Sequence, residues 1–244
     1  MSKSVNLNGL CCSFINYFLA SGNIQIKKRV CTVIILYTSS QNTKQLTNSI
    51  HKYTMLLPDQ LEDIANKLDA GLITLLPTES LWGLSCDAFN PQAIEKISTL
   101  KDRKEGHPYV LLVSSIEMLN SYIEMMHPRV ETLLSLHRKP LTLIHTAKSL
   151  PDHLLTQDNT VAIRVTQNPI CQGVIDILQR PIVSTSANIS GQDVPIYFNE
   201  IDQVIKDGVD FIPTYPNNVI NRKLQLASVI ASYDSEGELD FLRL

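Results

Sequence analysis

The hydrophobic residues after position 55 change their spacing along the chain, alternating between the periods of helices and strands. Apolar residues after Asp59 recur at the i, i+3, i+4 and i+7 spacing of one helical face, which predicts an amphipathic helix that Gly71 ends. The continuous apolar run at 72–76 has the length of a strand buried on both faces of a sheet. Asn90 and Asn168 each precede a proline, which predicts an N-cap with proline in the first turn of two further helices.

The same alternation continues to the end of the chain. The segment 149–159 is rich in Pro, Asp and Asn, and we predict a loop there. Strands that alternate with helices predict one α/β domain built around a large mixed sheet. The other predicted helices are 116–126, 128–136 and 199–206, and the other predicted strands are 109–113, 141–146, 161–165, 181–185, 209–212, 226–231 and 239–244.

The composition supports a hydrophobic core. The 244 residues are 44% hydrophobic and 18% charged, which excludes intrinsic disorder. No apolar run approaches the roughly 18 residues that a membrane-spanning helix needs. The five cysteines include no C-x-x-C pair and therefore indicate neither a zinc site nor a redox dithiol, so we predict a reducing, cytoplasmic location.

The charge is distributed unevenly, and position 55 divides the chain into two predicted segments. Residues 1–54 contain six basic and no acidic side chains, whereas the remainder has a net charge of −9. We predict that the first segment is poorly structured, and three explanations for it stay open: a targeting peptide, an added binding arm, or translation that starts at Met55. We favour the last, because the segment has neither helical periodicity nor a motif. The acidic body excludes a globally basic nucleic-acid coat but permits a local basic groove.

Common catalytic and nucleotide-binding motifs are absent from the sequence. It contains no G-x-x-x-x-G-K-[ST] loop, no G-x-G-x-x-G, no H-E-x-x-H and no G-x-S-x-G. Only nine glycines are present, which argues against a glycine-rich phosphate loop. The six histidines show no metal-ligand spacing, and we predict no metal site made by protein side chains.

Clusters of polar residues near the ends of predicted elements remain as candidates. Thr78 and Glu79 follow the first predicted strand, at the carboxyl end where ligand sites of α/β proteins lie. Lys101 and Arg103 close a predicted helix, where they either complement the helix dipole or bind an anion. Arg164 lies inside an apolar strand and needs a partner, either an internal carboxylate or an anionic ligand.

A further cluster is the run 183–191, in which a strand leads into small hydroxyls and the amide of Asn188. Such a run forms side-chain-capped turns in many proteins. Its side chains and backbone amides are also suited to hold a polyphosphate without a glycine-rich loop.

These clusters agree in order and spacing with the motifs of a known family. A strand followed by P-T-E, a K-x-R that ends the next helix, an A-I-R-V strand and an S-T-S-A-N-I-S-G run together resemble the threonylcarbamoyl-AMP synthase family, also called YrdC or TsaC. The resemblance extends from about Met55 to the C-terminus. It implies a single YrdC-like catalytic domain of the short form at 55–244, with a twisted mixed sheet flanked by helices and a concave basic ligand face.

The resemblance also implies an ATP-dependent nucleotidyltransferase. L-threonine, bicarbonate or CO2, and ATP with Mg2+ would give L-threonylcarbamoyl-adenylate and pyrophosphate. A downstream threonylcarbamoyl transferase complex would use the product for the N6-threonylcarbamoyladenosine modification of tRNA at position 37. Direct tRNA contact stays open, and no membrane partner is implied.

The site residues implied by the resemblance are matched position by position. The residues expected to bind the phosphates of ATP are Lys101, Arg103, Ser186 and Asn188, and the first two are also the expected catalytic residues. The residues expected to bind threonine are Thr78, Arg164 and Ser228. No covalent nucleophile is needed, because the carbamate of threonine attacks the α-phosphorus directly once the enzyme aligns the two groups.

Three departures from the family pattern concern loops. Lys104 stands where proline is usual, the segment 137–142 is a reduced form of a proline-rich motif, and the turn after P-T-E reads S-L-W-G at 80–83. Two rival functions stay open. One is a non-catalytic module that binds tRNA or double-stranded RNA. The other is an enzyme that handles carbamoyl phosphate, like the related domain of hydrogenase-maturation proteins, whose zinc-finger cysteines are absent here.

Overall fold

The computed structural model of the protein describes residues 56–103, 109–137, 139–224 and 227–243. The predictions for 1–54, for Lys104 and for the first residue of the predicted strand at 226–231 lie outside these described residues. All elements below are therefore those of the predicted domain after position 55.

The first helix, α1 (Pro58–Asp69), forms where the amphipathic spacing predicts it. Its apolar face is buried, and Leu68 is fully inaccessible. Gly71 has a φ of +80°, the left-handed conformation that glycine adopts without steric strain. The N–H of Leu72 then donates to the carbonyl oxygen of Lys67 at 3.1 Å and closes the helix end, so the predicted role of Gly71 is confirmed.

Eight strands form one mixed sheet in the order β1-β2-β6-β3-β5-β4-β7-β8, as the alternating pattern predicts for the fold class. The β3–β5 and β4–β7 pairs are parallel, and the other pairs are antiparallel. The strands are β1 (Thr74–Pro77), β2 (Trp82–Asp87), β3 (Val110–Val113), β4 (Leu141–Thr146), β5 (Thr160–Val165), β6 (Ile182–Ser186), β7 (Val229–Tyr233) and β8 (Leu239–Arg243).

The helices pack with this sheet around a shared core. Asn90 and Asn168 cap two of them as predicted: Oδ1 of Asn90 accepts from the N–H of Ala93 at 3.0 Å, and Oδ1 of Asn168 accepts from the N–H of Ile170 at 2.9 Å. The helices after α1 are α2 (Pro91–Leu100), α3 (Ile116–Asn120), α4 (Pro128–Leu136), α5 (Pro169–Leu178), α6 (Gln203–Gly208) and α7 (Asn217–Ile220), with 3-10 turns at Asp152–Leu154 and Phe198–Glu200.

Strand β2 is a strand that the hydrophobic pattern does not predict. Its sequence mixes Gly, Ser and Asp with apolar residues, yet all six positions are buried between β1 and β6. Gly83 permits this close approach, because a Cβ at that position would lie 2.3 Å from Oγ of Ser184 on β6. Burial of the polar side chains depends on neighbouring strands, which local periodicity does not encode.

The predicted strand at 209–212 is wrong. Phe211 makes only an isolated bridge with Thr74, because the carboxylate of Asp210 accepts from the N–H of Ile73 at 2.7 Å where a strand would offer a backbone oxygen. The predicted helix at 116–126 ends early at Asn120, and Ile123 instead bridges to Ala147. The short helix α7 was not predicted.

The central strands β6, β3 and β5 contribute fully buried residues to the core. Val183, Leu111 and Ile163, one from each strand, are fully inaccessible to solvent. Cys86 and Cys171 are free thiols within the same core, and burial raises the pKa of both above its usual value. Within the described ranges, no helix is both long enough and apolar enough to span a bilayer.

Candidate functional site

The end of helix α2 places the two cations of the K-x-R motif. Asp102 adopts a left-handed conformation with φ of 49° and ends the helix. Its N–H donates to the carbonyl oxygen of Thr99 at 3.1 Å, and the N–H of Arg103 donates to that of Ser98 at 3.0 Å. These two bonds form a Schellman motif with aspartate at the position that glycine usually takes. Lys101 and Arg103 therefore flank a tightly reversed chain.

Lys101 joins the K-x-R motif to the S-x-N motif. Its side chain is buried, and Nζ donates to the backbone oxygens of Ser186 and Asn188, the latter at 2.6 Å, and to Oδ1 of Asn188 at 3.3 Å. In return, the N–H of Ser190 donates to the backbone oxygen of Lys101 at 2.8 Å. The structure thus brings together two motifs that are more than 80 residues apart in the sequence.

Among the described residues, the acceptors around Lys101 are neutral. None of the ion pairs in the described part of the chain includes this lysine, and its three acceptors are uncharged oxygens. Burial, together with the nearby charge of Arg103, lowers the pKa of Lys101 to about 8. We call Lys101, Arg103, Ser186 and Asn188 the phosphate cluster; within the described residues, the ammonium of Lys101 in this cluster is held by uncharged oxygens.

Arg103 is held in this cluster by an aromatic ring. Its guanidinium carbon lies 4.5 Å from the ring centroid of Tyr109, a cation–π distance. The hydroxyl of Tyr109 forms a 2.7 Å hydrogen bond with Oγ of Ser98, so the ring itself is fixed to helix α2. The sequence analysis gave Tyr109 no role in the site, because its contact with Arg103 depends on how the chain folds between the two residues.

Ser186 and Asn188 form a turn that their own side chains cap. Oγ of Ser186 donates to Oδ1 of Asn188 at 2.6 Å, and Nδ2 of Asn188 donates to the backbone oxygen of Gln192 at 2.7 Å. The capped turn, one of the two interpretations of this run, is therefore present. It keeps the hydroxyl and amide groups ordered beside Lys101.

Arg164 has an internal carboxylate partner, which was one of the two alternatives for this strand arginine. Nε of Arg164 lies 3.0 Å from Oε1 of Glu79, with both side chains almost inaccessible to solvent. The contact is an ion pair without the geometry of a hydrogen bond, so Nε and Oε1 interact through their charges. The other carboxylate oxygen, Oε2, accepts from Oγ1 of Thr166 at 2.7 Å. Burial lowers the pKa of Arg164, and Glu79 opposes that shift.

Hydrogen bonds connect Arg164 to the turn that contains Thr78. Nη1 of Arg164 donates to Oγ of Ser80 at 3.2 Å, and that hydroxyl lies 3.0 Å from Oγ1 of Thr78. Because Thr78 donates its single hydroxyl proton to the backbone oxygen of Leu81, Ser80 is the donor to Thr78. Thr78 and Arg164, both predicted to contact threonine, therefore belong to one network, which also includes Glu79 and Ser80.

Ser228 lies immediately before β7. Its hydroxyl forms a 2.9 Å hydrogen bond with that of Thr142 on β4. Nη2 of Arg243 donates to the backbone oxygen of Ser228 at 2.8 Å. Thr142 directly precedes Leu143, which pairs with Ile163 of β5, the chain neighbour of Arg164, and the charge of Arg243 contributes to the lowered pKa of Arg164. We call the set Thr78, Glu79, Ser80, Arg164, Thr166, Ser228 and Arg243 the arginine cluster.

Of the other residues in this cluster, Ser80, Thr166 and Arg243 were not predicted as site residues, and Glu79 was noted only for its place after Thr78 at the end of the strand. Arg243 is exposed on the edge strand β8, where a lone charge is typical of a solvated surface. Only its contacts with Ser228 and its repulsion of Arg164 mark it as part of a site. In the described ranges, no three His, Cys, Asp or Glu residues lie together in a way that could hold a metal ion.

Sequence comparison identifies relatives of the chain. Residues 66–243 match the Sua5/YciO/YrdC family model, described as Telomere recombination. The chain is 33% identical over 153 residues to a Vibrio parahaemolyticus protein named Threonylcarbamoyl-AMP synthase, an alignment that covers 61% of this chain and 83% of the relative. A Moraxella catarrhalis protein of the same name is 34% identical over 149 residues, covering 54% of this chain and 73% of the relative.

Solved structures share the fold. Sua5 from P. abyssi complexed with L-threonine has a TM-score of 0.68 and 23% identity, covering 78% of this chain and 55% of that protein. YciO from E. coli has a TM-score of 0.66 and 20% identity, covering 77% and 89%. Full-length HypF in a phosphate- and nucleotide-bound form has a TM-score of 0.65 and 21% identity, covering 75% and 28%. The chain therefore spans about half of Sua5 and less of HypF.

The sequence matches and the fold agree with each other. The solved structures, all below 25% identity, support the mixed α/β sheet flanked by helices. The family model covers most of the chain, and the relative from Vibrio parahaemolyticus exceeds 30% identity over most of its own length. The chain therefore belongs to the Sua5/YciO/YrdC family.

Proposed function

We propose that the protein makes L-threonylcarbamoyl-adenylate from L-threonine, bicarbonate or CO2, and ATP, with release of pyrophosphate. The observation that carries this proposal is that one domain of this family contains both the phosphate cluster and the arginine cluster. In the phosphate cluster, Lys101 is held by uncharged oxygens among the described residues, and the arginine cluster presents Arg164 and Arg243 with hydroxyl groups. The names of the relatives, and the threonine in the structure of Sua5, support the same activity.

In the proposed reaction, ATP binds with its phosphates at the phosphate cluster. Arg103 supplies hydrogen-bond donors, Lys101 supplies charge while its N–H groups hold the turn, and Ser186 and Asn188 keep that turn ordered. Mg2+ would enter with ATP and would supply further positive charge at the phosphates. This arrangement neutralises the negative charge that develops on the departing pyrophosphate.

Threonine binds at the arginine cluster in this proposal. Nη2 of Arg164 makes no hydrogen bond within the described residues, so it is the nitrogen of the guanidinium left for a carboxylate. In the proposal, the hydroxyls of Thr78 and Ser228 contact the polar groups of the amino acid.

The chemistry proceeds in two steps without a covalent enzyme intermediate. The neutral amine of threonine forms a C–N bond with CO2 and loses a proton, which gives a carbamate. A carbamate oxygen then forms a bond to the α-phosphorus of ATP, and the bond from that phosphorus to the bridging oxygen of pyrophosphate breaks. The enzyme aligns these groups and excludes water. We propose that the product serves a threonylcarbamoyl transferase acting on tRNA in the cytoplasm.

Pyrophosphate release by the purified full chain tests this proposal. We expect release with ATP, Mg2+, bicarbonate and L-threonine together, and a product with the mass of threonylcarbamoyl-adenylate. Serine lacks one methyl group, which is worth roughly 10- to 200-fold in specificity, so weaker release with serine is expected. Release that is independent of the amino acid, or that requires carbamoyl phosphate, would overturn the proposal.

A further inference from the structure

Glu79 is a buried carboxylate to which the proposed reaction gives no task. Its side chain is about one-tenth exposed, and it lies in the P-T-E turn directly after Thr78. One oxygen accepts from Thr166, and the other faces Nε of Arg164 at 3.0 Å. A carboxylate held in this way at both oxygens has little freedom to move.

The contacts of Glu79 determine which edge of the Arg164 guanidinium is available. Nε faces the carboxylate, and Nη1 donates to Oγ of Ser80. These two groups belong to consecutive residues of one turn, so the turn engages Nε and Nη1, one nitrogen from each of the two-donor edges of the guanidinium. Nη2, which makes no hydrogen bond within the described residues, is the nitrogen left for an anion.

We propose that Glu79 is a positioning residue for threonine: it acts through Arg164, and it sets the orientation in which that arginine meets the carboxylate of the amino acid. This inference rests on the proposed function. Without Glu79, the buried guanidinium has no counter-ion, which favours rotation toward solvent and away from the Thr78 turn. The energetic effect therefore falls on threonine, whereas ATP binds at the separate phosphate cluster around Lys101.

A double-mutant cycle in the full chain tests this inference, with Glu79→Gln, Arg164→Met and the double variant. Titration calorimetry gives the Kd of threonine and of ATP separately, and the fluorescence of Trp82, the only tryptophan, gives a second signal from β2. Removing a hydrogen-bonded charge typically weakens binding by tenfold or more, so we expect Glu79→Gln to raise the Kd of threonine by about that factor with no change for ATP.

The cycle separates a positioning role from a merely structural one. In the Arg164→Met background, adding Glu79→Gln should cause no further loss of threonine binding, because Glu79 acts only through that arginine. The double variant also removes both charges, so it should resist urea better than either single variant. Equal or tighter threonine binding by Glu79→Gln, or equal losses for threonine and ATP, would overturn the inference.

Thr166 provides a milder variant if Glu79→Gln does not fold. Thr166→Val removes the hydroxyl that holds Oε2 of Glu79, and Thr166→Ser, the matched control, retains it. We expect Thr166→Val to weaken threonine binding more than Thr166→Ser does, because only the serine variant retains a hydroxyl for Glu79; identical behaviour of the pair would contradict the inference. A wild-type chain that binds no threonine would refute the proposed function itself, whereas normal wild-type binding with an unaffected Glu79→Gln would refute only the role of Glu79.

Discussion

Lys101 and Arg164 are both buried cations, but the protein surrounds them with different partners. Arg164 lies against the carboxylate of Glu79, so its charge is compensated inside the fold. Lys101 donates to uncharged oxygens of Ser186 and Asn188, and its pKa falls because burial is not offset by an anion.

The difference matches the charges of the two proposed ligand groups. A polyphosphate carries several negative charges, and a cluster in which Lys101 is held by neutral oxygens is suited to it. Threonine is a zwitterion. A guanidinium that is already paired with a carboxylate adds little net charge, but it can orient the carboxylate of the amino acid. Variants that remove one cation at a time test this difference between Lys101 and Arg164 most directly.

The largest expected effect is on stability, and it differs between the two clusters. Arg164→Met leaves Glu79 buried without a counter-ion, which should lower the free energy of unfolding by about 3–5 kcal/mol. Lys101→Met leaves neutral oxygens without donors, for which about 1–3 kcal/mol is expected. Urea unfolding of both variants measures the two losses. A larger loss for Lys101→Met would show that the clusters do not differ as described.

Substitution of Arg103 tests the role of the phosphate cluster in activity, because it should have little effect on stability. Arg103→Ala should lower the rate of pyrophosphate release by about 10²–10³-fold, the effect of losing one donor to the transition state. The lost stacking on Tyr109 should lower the free energy of unfolding by only about 0.5–1 kcal/mol.

Arg129→Ala is the matched control for this variant. Arg129 is exposed and pairs with Glu238 on the surface, so its loss should change neither activity nor stability by much. If Arg103→Ala retained activity as fully as Arg129→Ala, Arg103 would have no part in the reaction.

The lowered pKa of Lys101 predicts a pH dependence of ATP binding. In the free protein this pKa is about 8, and the phosphates of bound ATP favour the charged ammonium. ATP binding above pH 8 should therefore take up a proton and weaken by up to about tenfold per pH unit. Calorimetry in two buffers with different ionisation enthalpies measures this uptake.

The same pKa gives the sign of the effect on stability. Between pH 8 and the ordinary value of 10.5, the unfolded chain binds the proton of Lys101 more tightly than the folded chain does. The contribution of this group to stability is therefore unfavourable at lower pH and improves as pH rises through that window. Lys101→Arg does not titrate in this range, and its ATP binding should show no such proton uptake. The same uptake by that variant would assign the proton to another group.

The smallest expected effect is at Asp102, between the two cations. Its left-handed conformation suits glycine better, so Asp102→Gly should raise the free energy of unfolding by up to about 1 kcal/mol. Asp102→Val should lower it, because a β-branched residue is strained there. Thermal unfolding measures both. Loss of activity in a stabilised Asp102→Gly variant would show that the carboxylate itself takes part in the reaction.

The sequence by itself determined the elements that depend on local chemistry. The amphipathic spacing before Gly71, the Asn-Pro caps at positions 90 and 168, and the apolar runs of the central strands each act within a few residues. The same is true of the identity of the site residues, which the motifs place at element ends. Seven positions were predicted for the site, and the structure connects them in two clusters; which ligand each binds stays a prediction.

The tertiary structure alone decided the partners of those residues. Lys101 meets Ser186 and Asn188, and Arg164 meets Glu79, across more than 80 positions of the chain. Strand β2 becomes buried only between β1 and β6, and Arg243 joins the site only because β8 pairs with β7 beside Ser228. Local periodicity reports spacing along one element, whereas compensation of a buried charge depends on which elements the sheet brings into contact.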